Sequence, residues 1–119
     1  MSLLLEKQKE FSVLIADFIL RIKHIGYDCT LGEAWRPPEM VKIYADRKVG
    51  SLKSVHLDRL AMDLNVFKNG ILLTKTEDYK EIGELWESMG GSWGGRFKSS
   101  DGTPKPDGNH FSIAFMGRK

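Results

Sequence analysis

Residues 54–73 read SVHLDRLAMDLNVFKNGILL, and this stretch decides the fold. From Ala61 onward, the residues alternate between two sides, which is typical of a β-strand with one buried face. Asp63 shares the polar side with Asn65, while the predicted core side consists of Met62, Leu64 and Val66. The pair Asn69-Gly70 between two apolar runs is the strongest short signal for a β-hairpin. We therefore expect a strand that presents Asp63 and then folds back on itself.

A second short motif lies near the other end of the chain. Residues 107–110 are Asp-Gly-Asn-His, and they lead into another alternating segment over residues 110–115. If the two strands lie in one sheet, Asp63 and His110 project from the same surface, and His56 reaches that surface from the loop before its strand. Zinc binds imidazole nitrogen and carboxylate oxygen, and a catalytic zinc site has three protein ligands and a water. The predicted ligands are His56, Asp63 and His110.

Asp107 is left over beside this predicted metal site. A carboxylate next to a metal-bound water is what a hydrolase uses as a general base. Taken singly, each of these His and Asp residues has an ordinary alternative role in capping, hydrogen bonding or the surface. The hypothesis depends on their combination, since both motifs place polar residues opposite a core face.

The remaining segments predict helices packed on a small antiparallel sheet, an α+β fold. Helices are expected over residues 5–25, 38–47 and 75–89, and further strands over residues 27–36 and 110–115. Thr74 and Glu77 fit a capping box at the start of the third helix. Residues 91–109 form a long connection that contains Trp93, which either flanks the cleft or joins the core. Cys29 is expected to be a buried strand residue.

Composition limits the classes of function. The chain has 119 residues, so one domain over residues 1–119 is expected, and its single cysteine excludes an internal disulfide. A formal charge of only +2 gives no strong footprint for nucleic acid. We also expect no membrane partner and a monomer. The first residues do not resemble a secretory signal, which predicts synthesis and folding in a cytoplasm.

The motifs resemble those of the zinc peptidases of the D-alanyl-D-alanine carboxypeptidase and L-alanyl-D-glutamate endopeptidase group. The shared pattern is S-x-H-x-x-(G/R)-x-A-x-D followed by (D/E)-x-x-H-F, and the small bacteriophage endolysins of the group are the most similar. Residues 32–39 resemble the arginine-bearing segment of the family, and residues 85–97 resemble the segment that precedes the last motif. The likeness extends over residues 26–115, with one departure, because many members have Gly in place of Arg59.

The resemblance implies the fold shared by Hedgehog proteins and DD-peptidases, with zinc as cofactor and peptidoglycan stem peptides as substrate. It implies that Arg36, at the end of its predicted strand, stabilises the developing oxyanion, and a surface ion pair is the alternative role for this residue. Ser54, in the predicted loop, either orients His56, binds substrate or caps a turn. Cleavage between L-alanine and D-glutamate, the endolysin activity, is the favoured reaction, and removal of a terminal D-alanine is the alternative. An enzyme of this kind would act on the cell wall after its release from the cytoplasm.

Two hypotheses of other classes stay open at this point. A non-catalytic zinc-containing binding module is one, because the Hedgehog signalling domain has the same fold. The retention of Asp107 beside a complete ligand set argues against a retired site. The other is a nucleic-acid-binding protein that uses Trp93, Arg96, Phe97 and Lys98, and the near-neutral charge argues against it.

Overall fold

An antiparallel sheet with helices beside it forms the framework of this computed structural model, which describes residues 3–34, 39, 59–99 and 101–116. Its elements are α1 (Leu3–His24), β1 (Tyr27–Leu31), β2 (Ala61–Lys68), β3 (Ile71–Leu72), α2 (Lys80–Ser88), β4 (Ser92–Trp93) and β5 (His110–Ser112). Short 3-10 helices occupy Thr76–Tyr79 and Gly94–Arg96. The strand order is β1-β2-β5-β4, with β3 paired to β2. The predicted α+β fold class is confirmed.

β2 is the central strand, and from Leu64 to Val66 its residues alternate between the two faces as predicted. At its start Ala61, predicted on the polar side, is fully buried, and Met62, predicted on the core side, is only half-buried. Leu64 and Val66 are fully buried, whereas Asn65 between them is exposed. On one side, β2 pairs with β1 from Tyr27↔Lys68 to Leu31↔Leu64. On the other, it pairs with β5 from Ala61↔Ser112 to Asp63↔His110. The prediction that Asp63 and His110 share one sheet is therefore confirmed, and the two residues are direct partners in the register.

The predicted hairpin after β2 is also confirmed. Asn69 and Gly70 both have positive φ angles, 54° and 76°, which is the backbone signature of a type I′ turn. β3 returns along β2, with Phe67 opposite Leu72. The turn therefore sets the register of β3 through purely local sequence.

α1 packs its apolar stripe against α2 and β5. Phe11, Ile15, Phe18 and Ile22 are its buried residues. The ring centroid of Phe18 lies 5.0 Å from that of Trp86 in α2 and 4.9 Å from that of Phe111 in β5. Gly26, with φ of 104°, lies two residues beyond the last residue of the helix. No helix in the described part of the chain has the length and apolar character needed to cross a bilayer.

The start of α2 differs from the prediction. Thr74 and Glu77 do not form a capping box, since the chain first makes a 3-10 helix over Thr76–Tyr79 and the α-helix begins at Lys80. The physical reason is that the Leu73 amide still donates to the Val66 carbonyl, at 2.8 Å, so the chain remains paired with the sheet immediately before Thr74. The inward residues of α2 are as predicted, with Ile82 and Trp86 fully buried.

The connection over residues 91–109 contains more regular structure than the sequence suggested. β4 pairs with β5, with Ser92 opposite Ser112 and Trp93 opposite Phe111. Trp93 is 4% exposed, so the structure places it in the core, the second of the two roles left open by the sequence. A further bridge joins Lys98 to Pro104.

Two predicted strands are shorter than expected. β5 ends at Ser112 because both of its partner strands, β2 and β4, begin opposite that residue. β1 ends at Leu31, although the Gly32 amide continues the pairing by donating to the Asp63 carbonyl at 2.7 Å. The predicted strand end at Arg36 and the helix over residues 38–47 lie outside the described residues.

Cys29 is half-buried in β1, where the sequence predicts a buried strand residue. Burial, aided by the neighbouring charge of Asp28, raises the pKa of its thiol. A raised pKa keeps the sulfur protonated near neutral pH, and a thiol is a poor nucleophile compared with a thiolate. The structure therefore gives Cys29 no catalytic environment.

The packing of α1 gives a stability prediction. Phe18→Ala removes a fully buried ring between α2 and β5, and we expect it to lower the free energy of unfolding by about 3–5 kcal/mol. Val13→Ala, on the same helix at a site 72% exposed, should change it by less than about 0.5 kcal/mol. Urea denaturation followed by circular dichroism measures both. Equal losses in the two variants would contradict this packing.

Candidate metal centre

Asp63 lies at the point where β2 is held from both sides. Its amide donates to the Glu33 carbonyl at 2.9 Å, and its carbonyl accepts from the Gly32 amide at 2.7 Å. On the other edge, Asp63 is the register partner of His110. Because the backbone is fixed on both edges, the carboxylate projects from one position on the sheet surface, with its side chain 20% exposed.

His110 and Asp107 belong to one tight turn. The His110 amide donates to the Asp107 carbonyl at 3.1 Å, and the neighbouring Asn109 carbonyl accepts from the Leu64 amide of β2 at 2.9 Å. The side chain of His110 is 5% exposed, and its ring centroid lies 4.8 Å from that of Phe97. The imidazole is therefore held by packing, while Asp107 is exposed to solvent.

Gly94 packs directly against this turn. Its carbonyl accepts from the Asp107 amide at 2.9 Å. A Cβ atom at position 94 would lie 2.1 Å from the Asp107 carbonyl oxygen and 2.7 Å from the His110 Cβ, both too close for any side chain. Only glycine at this position allows the turn to approach the connection so closely.

Trp93 holds the same turn in place through a hydrogen bond. Its indole N–H donates to the Gly108 carbonyl at 2.7 Å. Arg96 lies 5.1 Å above the Trp93 ring and donates twice to the Glu87 carboxylate of α2, at 3.1 Å each. The turn that carries Asp107 and His110 is therefore tied through Trp93 and Arg96 to α2. These contacts engage two of the residues named in the nucleic-acid hypothesis.

The side chains of Asp63, Asp107 and His110 converge. Each offers one potential ligand atom, and these atoms all lie within 4.8 Å of one another. His110 Nδ1 and Asp63 Oδ1 are 3.7 Å apart, which is long for a direct hydrogen bond. Two ligands of a tetrahedral zinc ion, each at about 2.0–2.1 Å, lie roughly 3.3 Å from each other. The nitrogen and oxygen donors therefore fit a shared zinc ion in both type and spacing.

The structure brings together three of the four residues that the sequence predicted for the metal and the base. The fourth, His56, lies outside the described residues, and so do the predicted site residues Arg36 and Ser54. The positions of these three side chains therefore stay predictions.

Asp101, the other acidic residue of the connection, is not part of the cluster. Its Oδ1 accepts from the Ser99 hydroxyl at 2.6 Å and from the Thr103 amide at 2.9 Å. These hydrogen bonds, the one from Ser99 foremost, lower the pKa of Asp101 to about 2. A general base works best with a pKa near the operating pH, so Asp101 is poorly suited to the role considered for Asp107.

A polar pocket of about 390 Å³ adjoins Asp107, and no motif in the sequence predicts it. Asn65 lines it, and the alternation of β2 had placed Asn65 on the same side as Asp63. A second wall includes Thr74, Lys75 and Thr76, where the sequence predicts the start of a helix. This wall cannot be predicted from the helical pattern, because it depends on the α-helix beginning only at Lys80, after a 3-10 helix over Thr76–Tyr79.

Residues 47–113 match the family described as D-alanyl-D-alanine carboxypeptidase. This range includes both motifs, residues 54–63 and residues 107–110. No curated protein matches the chain in sequence.

Two solved structures share the fold. The L-Ala D-Glu endopeptidase ChiX of Serratia marcescens superimposes with a TM-score of 0.60 and 21% identity, covering 74% of this chain and 68% of that chain. A mutant of the vancomycin resistance D,D-pentapeptidase VanY from a VanB-type cassette, in complex with Zn(II), gives a TM-score of 0.64 and 18% identity, covering 87% of this chain and 70% of that chain. Because the family match spans more than half of the sequence, the chain belongs to the D-alanyl-D-alanine carboxypeptidase family, which confirms the zinc metallopeptidase family predicted from its two motifs.

Proposed function

We propose that the protein is a zinc-dependent peptidase that cleaves peptidoglycan stem peptides between L-alanine and D-glutamate, as phage endolysins of this family do. The convergence of Asp63, Asp107 and His110 is the observation that carries the proposal. Membership of the family supports a peptidase that acts on peptidoglycan. The choice of bond follows the resemblance of the two motifs to those of the phage endolysins. Of the two solved structures that share the fold, ChiX is an L-Ala D-Glu endopeptidase and VanY is a D,D-pentapeptidase.

In this proposal His56, Asp63 and His110 hold the metal. Bound zinc supplies a Lewis acid and lowers the pKa of a coordinated water towards about 7. The protein contributes rigidity, because Asp63 is fixed by backbone hydrogen bonds on β2 and His110 is fixed by its burial beside Phe97. Ligands that are already in position do not need to reorganise when the reaction occurs.

Asp107 is the proposed general base. Its exposed carboxylate takes a proton from the attacking water and returns it to the amine of the leaving residue. The hydrogen bonds that hold its backbone to Gly94 and His110 keep this carboxylate beside the metal ligands. Arg36 is the proposed stabiliser of the oxyanion, and Ser54 the residue that orients His56 or binds substrate. Trp93 supports the site from the core, through its hydrogen bond to Gly108.

Removal of a terminal D-alanine is the second candidate reaction, and the description of the matched family favours it. Both reactions hydrolyse an amide bond with the same metal ligands and the same base, so they differ only in the position in which the substrate binds. A non-catalytic zinc-binding module is the less favoured hypothesis, because binding zinc does not require an exposed carboxylate beside the ligand atoms.

Loss of a metal ligand should remove zinc and activity together. We expect His110→Ala or Asp63→Ala to retain almost no zinc after dialysis, whereas the wild type keeps a stoichiometric amount, as measured by atomic emission. Asn65→Ala is the matched control for zinc content, since this residue lies on the same side of β2 as Asp63. Stoichiometric zinc in the His110→Ala protein would remove His110 from the ligand set.

Substitution of the proposed base should lower turnover without changing the zinc content. Asp107→Asn preserves shape but not basicity, so we expect full zinc content and a fall in kcat of about 10²–10⁴. Asp101→Asn, in the same connection, should keep most of the activity. If Asp107→Asn lost its zinc, Asp107 would be a ligand rather than the base, and an unchanged kcat would exclude both roles.

A peptidoglycan digest identifies the bond. Purified peptidoglycan is incubated with zinc-loaded wild type and with His110→Ala, and new end groups are identified by mass spectrometry. We expect a new amino terminus on D-glutamate with the wild type only. Free D-alanine would instead establish the second candidate reaction, and no product from a zinc-loaded wild type would favour the binding module.

A further inference from the structure

The pocket beside Asp107 is lined by groups suited to a charged amino-acid residue. We propose that it holds the leaving residue of the cleaved peptide, with Lys75 binding a free carboxylate on that residue. This rests on the proposed function and adds to it a specificity-determining residue. The consequence is selectivity for stem peptides in which the carboxylate of the leaving residue is not amidated.

The two walls of the pocket are in direct contact. Gly108 approaches Thr76 so closely that a Cβ atom at position 108 would lie 2.9 Å from the Thr76 Cα and 3.1 Å from its Oγ1. Asp107 precedes Gly108, and Lys75 precedes Thr76, so the acidic and basic residues of the pocket flank one contact point. The pocket volume of about 390 Å³ lies within the roughly 300–1,000 Å³ typical of small-molecule sites.

The pocket has one positive and one negative side chain among its described lining residues. Lys75 is the cation and Asp107 the anion, and the other polar groups include the amides of Asn65 and Asn109 and the hydroxyls of Thr74 and Thr76. Lys75 is exposed and forms no ion pair within the described part of the chain. Its ammonium group is therefore available to an anionic ligand.

Tyr79 also lines the pocket but does not compete for this role. Burial is the main cause that raises the pKa of its phenol, and the nearby charge of Asp107 raises it further. The hydroxyl is therefore neutral at physiological pH and adds no second negative charge that would compete with an anionic ligand for Lys75.

This distribution of charge matches the leaving residue. The amine released by hydrolysis receives its proton from Asp107, which directs the amine end of that residue to the acidic side of the pocket. A carboxylate on the same residue then lies towards Lys75. Both candidate leaving residues have one, because a terminal D-alanine has its chain end and D-glutamate has two carboxyl groups, of which only one continues the stem. Lys75 can therefore serve either reaction.

Matched acid and amide substrates test the inference. Two synthetic stem peptides contain the L-alanine–D-glutamate bond with the remaining glutamate carboxyl either free or amidated, and two others end in D-alanyl-D-alanine with the terminus free or amidated. Cleavage is followed by chromatography with zinc-loaded wild type, Lys75→Met, Lys75→Arg and Lys80→Met. Lys80 is an exposed lysine that does not line the pocket, so its variant controls for loss of surface charge.

The ratio of kcat/KM between acid and amide is the readout, because it is internal to each protein and independent of its folded fraction. We expect the wild type, Lys75→Arg and Lys80→Met to prefer the acid by about tenfold or more, mainly through KM, and Lys75→Met to reduce the ratio to about one. Equal cleavage of acid and amide by the wild type, or an unchanged ratio in Lys75→Met, would overturn the inference alone. No product from any of the four peptides would overturn the proposed function, and the inference with it.

Discussion

The structure depends on the pairing of β2 with β5, which sets Asp63 opposite His110. In an antiparallel ladder, a slip of one residue turns every side chain to the other face. Such a slip would expose Leu64 and Val66 to solvent and bury Asp63 in their place. The free energy gained from the apolar face of β2 therefore also selects the register that puts a carboxylate beside an imidazole. The chemistry of the site is specified by the core beneath it.

Trp86 extends this constraint to the helices. Its indole N–H is shared between the carbonyls of Ser92 in β4 and Ser112 in β5, at 3.1 and 2.9 Å, and its ring lies fully buried against α1. A single side chain of α2 thus joins two strands and a helix. Trp93 and Arg96 complete the connection on the side of the metal centre, so the turn that carries His110 is supported by the same helix that closes the core.

Local signals in the sequence predicted the parts of the fold that are locally determined. The alternation of β2, the turn at Asn69-Gly70 and the apolar stripe of α1 were all recognised, because each depends on residues within one element. The capping box at Thr74 failed because a non-local hydrogen bond, from Leu73 to Val66, keeps that segment in the sheet. β4 is only two residues long and forms through its pairing with β5, so it is too short to show a periodic pattern in the sequence. The clustering of Asp63, Asp107 and His110 was anticipated from two alternating segments, whereas the pocket beside Asp107 depends on how two connections pack and was missed.

The turn from Asp107 to His110 also determines when the site comes into existence. One proposed ligand and the proposed base are contributed by this turn, and they meet Asp63 only when β5 has docked between β2 and β4. A chain that is still emerging from the ribosome, or one truncated before residue 110, has no site to hold a metal, however well its first strands have formed. Since an ion that binds only the folded state stabilises that state, metal capture would also secure the final strand in place. Completion of the fold and completion of the candidate site would then be one event.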